Sequence, residues 1–389
     1  MLQLFLLLLP IAALSGWFAG WHYKRSVEIK SEGNFIPPGY FLGLNYLIND
    51  QPDKAVDVFI KMLQINTDTI ETHLALGNLF RRRGEVDRAI RIHQNLIARP
   101  QLTQKQHLQA LLELAQDYLR AGVFDRAERL FLEIINFGGD INLSLNSLIN
   151  IYQQQKDWRK AIAAAKKLEF ISSATMHTAI AHYYCELADY AKLNNELSNA
   201  YAYLNDALNA DINCARANIM LGNLYFTEDK YEQAIKVFRM VYQQDAEYVA
   251  EIIDLLGKCY QCVGRETEYI NCLDSWIAEK PRIYYVLAMT DYLLTTKGDL
   301  TALNYLSCQL PKCLSLRGLE RMLSLYINYV DDNMKDQLLL LKEFITKLLA
   351  NKPIYRCIHC GFAGKNLYWQ CPSCRCWNSV KPIHGLEGD

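Results

Sequence analysis

A charge surplus of either sign is missing from this chain: 41 lysines and arginines stand against 42 aspartates and glutamates, a formal net charge of −1 at pH 7. That balance gives no electrostatic reason to expect nucleic acid or an acidic substrate as a partner. An even cysteine framework, the mark of a small secreted domain, is also missing. The twelve cysteines are scattered outside one C-terminal cluster, which fits a reducing compartment. There is no phosphate-binding glycine loop, no His-Glu-x-x-His, no nucleophile elbow and no dinucleotide fingerprint. No catalytic constellation emerges, and the expectation is a protein that is not an enzyme.

The first 21 residues carry an apolar run from Leu2 to Leu14, interrupted only by Gln3 and Pro10 and extended by Trp17, Phe18 and Ala19. As a helix of about 20 residues it would reach ~30 Å, enough to cross a bilayer core. Basic residues ahead of the run and a clear small-x-small cleavage site, which a signal peptide would show, are absent. Trp17 and Trp21 fall where an interfacial belt would sit, and Lys24 and Arg25 follow. The positive-inside rule then predicts an uncleaved single-pass anchor with its N-terminus outside and everything after it in the cytoplasm. Residues 22–38, charged and broken by Gly33, Pro37 and Pro38, read as a short linker that keeps the following domain near the membrane surface.

From residue 39 to 351 the chain repeats itself with a period near 34. Gly43-x-x-Tyr46…Ala55…Phe59, Gly77-x-x-Phe80…Gly84…Ala89 and Gly222-x-x-Tyr225…Ala234…Phe238 share one template, with further copies around Tyr118/Ala127/Phe131, Tyr152/Ala161 and Gly257/Tyr260. The pattern resembles the tetratricopeptide repeat. Small residues let the two helices of a unit approach, aromatics are expected to fill the groove to the next unit, and stacked units curve into a superhelix with a concave face. Eight or nine units are expected, degenerate after Pro281. In that family, peptide-binding Asn and basic residues often lie on the first helix of a unit, so the resemblance makes Asn78, Arg81, Arg82 and Asn223 candidate partner contacts. Cys259-Tyr-Gln-Cys262 lies on an expected helix with no second pair nearby and reads as core. His73, His93, His107, His177 and His182 show no partner pattern and read as helix surface or packing.

Residues 352–389 hold Cys357-Ile-His-Cys360 and, after ten residues, Cys371-Pro-Ser-Cys374. Two residues between cysteines let a tight turn aim both sulfurs at one point, and two such knuckles close a tetrahedral site with no open position. Cys357, Cys360, Cys371 and Cys374 are the expected metal ligands. His359 is expected to face outward, and Cys376 is a fifth thiol that leaves the ligand set open by one residue. So short a segment has little core of its own, so metal binding would supply most of its folding free energy, on the order of 10 kcal/mol. Tyr355, Tyr368, Trp369 and Trp377 exceed what it can bury, so part of that surface should be docked on the rest of the chain or offered to a partner.

The predicted architecture is therefore all-α, a tetratricopeptide superhelix with an N-terminal transmembrane helix and a small rubredoxin-like or zinc-ribbon-like metal domain. This order of parts, with Gly77-Asn-Leu-Phe80 and Leu367-Tyr-Trp-x-Cys371-Pro-Ser-Cys374 as its most specific pieces, resembles the lipopolysaccharide assembly protein B family of Gram-negative bacteria along the whole chain. The resemblance implies a cytoplasm-facing inner-membrane adaptor that promotes degradation of the lipid A deacetylase LpxC by the membrane protease FtsH, and so regulates lipopolysaccharide synthesis. It also implies a rubredoxin-type site binding iron. Rubredoxins usually have a longer gap between pairs and a glycine after the last ligand, where Arg375 stands here, and that keeps zinc open. Two other readings remain at this stage: a rubredoxin-like electron carrier, and a general scaffold for envelope assembly. A nucleic-acid-binding ribbon is disfavoured, because four Lys/Arg against two Asp/Glu from Pro353 onward are largely cancelled by the charge of about −2 on a divalent tetrathiolate centre.

Overall fold

Glycine and a bulky side chain, sixteen positions apart, set the basic joint of the helical array. In the computed structural model, which describes Trp17 and residues 38–49, 51–65, 70–173 and 175–385, eighteen α-helices follow one another among the described residues, most of them packed in consecutive pairs. In the first pair, α1 (Pro38–Ile48) and α2 (Pro52–Ile65), a methyl group added to Gly43 would sit 2.5 Å from the Phe59 ring. In the second, α3 (Ile70–Arg82) and α4 (Val86–Ile97), one added to Gly77 would fall 2.3 Å from His93 Nε2. Gly222 meets Phe238 in the same way, at 2.2 Å. Only glycine admits such an approach. The aromatic filling each notch comes from the second helix of the same pair. The aromatics near the end of each first helix are used differently: in four successive pairs they lie under a cation eight places on, Lys54 over Tyr46, Arg88 over Phe80, Arg126 over Tyr118 and Lys160 over Tyr152, at 5.3–5.7 Å from the ring centres.

The turns inside the pairs also repeat. Gly84, Gly122, Lys156, Asn195, Asp229 and Gly264 all take left-handed φ values. The amide after each bonds back across the helix end, as in Glu85 N to Phe80 O at 2.9 Å and Lys230 N to Tyr225 O at 2.8 Å. This closes the orphan carbonyls in Schellman fashion.

The chain forms two compact units, residues 1–144 and 145–389. In the first, His93 Nδ1 pairs with Asp117 Oδ2 at 2.5 Å, both side chains fully buried. Arg81 closes the group through Asp117 at 2.8 Å and Glu113 at 2.6 Å. In the second unit, α12 (Tyr231–Gln244) is followed by a 3₁₀ segment, Ala246–Glu251, before α13 (Ile253–Val263). Phe238, Val241, Tyr248, Leu256, Tyr260, Leu273 and Trp276 form a continuous core there, and Leu367 and Trp369 from the C-terminal ribbon pack against it.

The ribbon is a three-stranded antiparallel sheet in the order β2-β1-β3, with β1 at Tyr355–Cys357, β2 at Ala363–Gly364 and β3 at Val380–Pro382. Tyr355 pairs with Gly364 on one side and Pro382 on the other, and Cys357 pairs with Val380. The expected anchor at residues 1–21 lies, Trp17 apart, outside the described residues, as does the linker apart from Pro38. Among the described residues no helix is long and apolar enough to cross a membrane.

Candidate metal centre

Both knuckles are built alike. Cys357 ends β1, and the Gly361 amide returns to Cys357 O at 3.0 Å; in the second knuckle the Arg375 amide returns to Cys371 O at 2.9 Å. The residue after each second cysteine is left-handed, Gly361 at φ 77° and Arg375 at φ 59°. The turn thus demands at Arg375 the conformation that glycine would supply without strain.

The four sulfurs converge, each within 4.8 Å of the others. Cys357 Sγ and Cys374 Sγ are 3.7 Å apart, Cys360 Sγ and Cys371 Sγ 3.6 Å. A tetrahedron with metal–sulfur bonds of about 2.3 Å has edges of about 3.8 Å, whereas a disulfide needs about 2.05 Å. The residues therefore fit a tetrathiolate metal ion. Hydrogen bonding favours the thiolate form at Cys357 and Cys360, whereas at Cys374 the lowering by the Cys376 amide is outweighed by desolvation and by hydrogen bonds with the Cys371, Cys360 and Cys376 thiols, which push it well up. Burial alone would push the Cys357 thiol up, but Ser379 and the amides of Cys360 and His359 draw it down to about 6. The Phe362 amide lowers Cys360 against its own desolvation. An ion bound here would offset part of the thiolate charge and tie the knuckles together, since the ribbon's own hydrophobic cluster of buried residues is small, Cys357, Cys371 and Val380.

Part of the ribbon's apolar surface is seated against helices of the same unit, while Ile358 and Tyr368 stay exposed. Trp377 stacks on His182 (5.0 Å between centroids, 19° between planes) and meets Trp158 and Tyr183 edge-on at 6.2 and 5.8 Å. Trp369 lies 4.8 Å from the Tyr248 ring and under the Arg216 guanidinium at 5.7 Å. Arg216 is held in turn by Glu186 and Asp189, both at 2.8 Å. The 3₁₀ segment and the residue before it provide a row of anchors. Asp245 pairs with Lys381, and Tyr248 donates to Asn378 Oδ1 at 2.8 Å. Glu247 holds His384 and Arg282, and Glu251 accepts from Tyr355. Hydrogen bonds from His384, then Arg282, draw the Glu247 carboxyl down to about 2 despite partial burial. Gln153 accepts from Gln370 at 2.8 Å, and Asn150 from Arg375 at 3.1 Å. His182 is buried by the two tryptophans; desolvation first, then Arg216 and Lys381, depress it to about 3, so it is neutral.

Residues 355–382 match the family model described as a rubredoxin metal binding domain, and residues 72–105 match a tetratricopeptide repeat. Over their full lengths, this chain is 38% identical to lipopolysaccharide assembly protein B of Escherichia coli strain K12. It is 35% identical, again over both full lengths, to the protein of the same name from Haemophilus influenzae. The chain belongs to the lipopolysaccharide assembly protein B family. This member combines the family's repeats and metal ribbon, with Cys357, Cys360, Cys371 and Cys374 brought together as a ligand set.

The other candidates fall elsewhere. Arg81 is engaged by Asp117, Glu113 and Asn78 Oδ1, the last at 2.8 Å, while Arg82 is exposed. Asn223 is half-buried on α11 (Ala215–Thr227). Cys259 is buried and Cys262 exposed on α13. His359 is exposed and Cys376 half-buried beside Cys374. Sequence reasoning missed His182, Arg216, Tyr248 and the acidic row Asp245, Glu247 and Glu251. Their one sequence signal is complementarity: three carboxylates and a tyrosine face Lys381, His384 and Tyr355.

Proposed function

We propose that this protein is an inner-membrane adaptor, a binding protein rather than an enzyme. Met1–Trp21 anchors it with its N-terminus in the periplasm, and the array and ribbon lie in the cytoplasm. It regulates lipopolysaccharide synthesis by presenting the deacetylase LpxC to the membrane protease FtsH. The observation that carries this reading is the seating of the ribbon. Four cysteines close the metal shell and leave no ligand position for a substrate, and Trp369 and Trp377 make the ribbon a fixed part of the helical scaffold. The assembly name of its full-length relatives supports the same class. The metal serves as a structural pin, iron by family resemblance, and a visible absorption spectrum of the purified protein distinguishes iron from zinc.

Anchoring the array raises its effective concentration beside a membrane protease, a gain that can reach ~10²-fold. Cells carrying only a form without Met1–Trp21, at matched abundance, should therefore accumulate LpxC although the truncated protein folds and holds its metal. LpxC turnover as fast as with the full chain would rule out membrane-localised presentation. Turnover unchanged on removal of the whole protein would rule out the adaptor itself.

A further inference from the structure

We propose that His359, Cys374 and Cys376 form a second metal site for a thiophilic d¹⁰ cation such as zinc or cadmium, with the Cys374 thiolate bridging it to the tetrathiolate centre. The ligand atoms of these three residues all lie within 4.8 Å of one another, and the knuckles put them there. His359 rides on the turn between Cys357 and Cys360. Cys376 follows the left-handed Arg375, and its carbonyl is pinned by the Cys371 amide at 2.9 Å and the Ser379 hydroxyl at 3.0 Å. His359 is exposed and the two cysteines partly so, which gives a cation a way in from solvent. Imidazole and thiolate are the donors that such a cation prefers, and three protein ligands leave a fourth position to solvent.

Charge favours the same arrangement. A divalent ion in four thiolates leaves about −2 on the cluster, and a thiolate sulfur has lone pairs for two ions. Binding of the second cation releases the Cys376 thiol proton to solvent. Cys376 precedes Trp377, the residue stacked on His182, so occupancy of this site would brace the loop that seats the ribbon and tie that seat to the supply of free metal.

The test is a cadmium-113 titration of the full chain, with cadmium exchanging into the tetrathiolate centre as well, read by metal-to-protein ratio and by cadmium NMR. Two ions per chain are expected, with scalar coupling between the two nuclei through the shared Cys374 sulfur. Cys376→Ser and His359→Ala should each weaken the second ion by at least about tenfold, the loss that even an outer-shell partner can cause, and leave the first in place. One ion at saturation, two uncoupled signals, or a second ion that survives both substitutions, as capture at exposed Cys262 or Cys308 would, overturns the proposal.

Discussion

Between Gly222 and Phe238 the array makes the same joint that it makes between Gly43 and Phe59, and each helix pair adds its own buried residues around it. The ribbon has no such repetition. Its buried core is Cys357, Cys371 and Val380, and two of those three are metal ligands. The array therefore spreads its stability over many near-equivalent contacts between neighbours, whereas the ribbon concentrates its own in one ion and in the seat that receives Trp369 and Trp377. Damage should stay local and graded in the first region and become all-or-none in the second.

The largest effect should come from Cys371→Ser. Loss of one thiolate opens the shell that supplies most of the ribbon's folding free energy, on the order of 10 kcal/mol. Metal content should fall to near zero and residues 353–385 should become protease-sensitive while the helices persist in circular dichroism. Cys376→Ser should keep the tetrathiolate ion; equal loss from both variants would show that the ligand set is misassigned. Phe238→Ala empties the notch over Gly222 and should cost ~3–5 kcal/mol. Hydrogen exchange should then quicken in α11, α12 and their neighbours, with metal content unchanged. If the ribbon lost its metal as readily as in Cys371→Ser, the contrast between local and all-or-none failure would collapse.

A milder effect is expected at the seat. Trp377→Ala removes the ring packed on His182, Trp158 and Tyr183 and should weaken docking by ~2–4 kcal/mol, near the usual cost of truncating a buried aromatic. Faster exchange at the seat with metal retained is the expected outcome. A pH effect follows from His182. Its folded value is about 3, below the unfolded value of about 6.5. Between these values the unfolded chain binds a proton that the folded chain refuses, so stability is full above about pH 6.5 and falls as pH drops. Subtracting the melting profile of His182→Phe from that of the wild type between about pH 7.5 and 5 isolates this component; a flat difference would mean that His182 is not held neutral.

The repeats and the knuckles were legible in the sequence because each rests on local spacing: Gly77 with Phe80 and Gly84, and Cys357 with Cys360. The ligand quartet could be read for the same reason, although the gap between pairs spans ten residues. The aromatic excess of the ribbon was legible too, but only as a surplus without an address. Its destination depends on residues more than a hundred positions away, such as Tyr248 for Asn378 and Val380, and no short-range pattern encodes that pairing. His93 illustrates a subtler miss. It stands where Phe59 and Phe238 stand in their pairs, filling the Gly77 notch while its other face meets Asp117. A template that expects an aromatic there reads it as ordinary packing and does not anticipate the buried contact with Asp117.

The smallest effect compares the two knuckles with each other. Gly361 and Arg375 occupy equivalent left-handed positions, yet only one is glycine. Holding arginine there costs roughly 1–2 kcal/mol of backbone strain, and the Arg375 side chain offsets part of it by donating to Asn150 at 3.1 Å. Such a bond is worth about 0.5–1.5 kcal/mol, at the low end for an exposed side chain. Arg375→Gly relieves the strain and loses the bond, so ribbon stability should stay within about 1 kcal/mol of wild type or rise slightly, since glycine returns some of the gain as unfolded-state entropy. Arg375→Ala keeps the strain and loses the bond, and should be the less stable by about 1 kcal/mol. Melting of the metal-loaded protein should therefore rank glycine above alanine, with arginine between them or level with glycine. Equal stability of the two variants would show that the second knuckle is not strained. Arginine standing well above both variants would show that the Asn150 contact, rather than the turn, decides what stands after the last ligand.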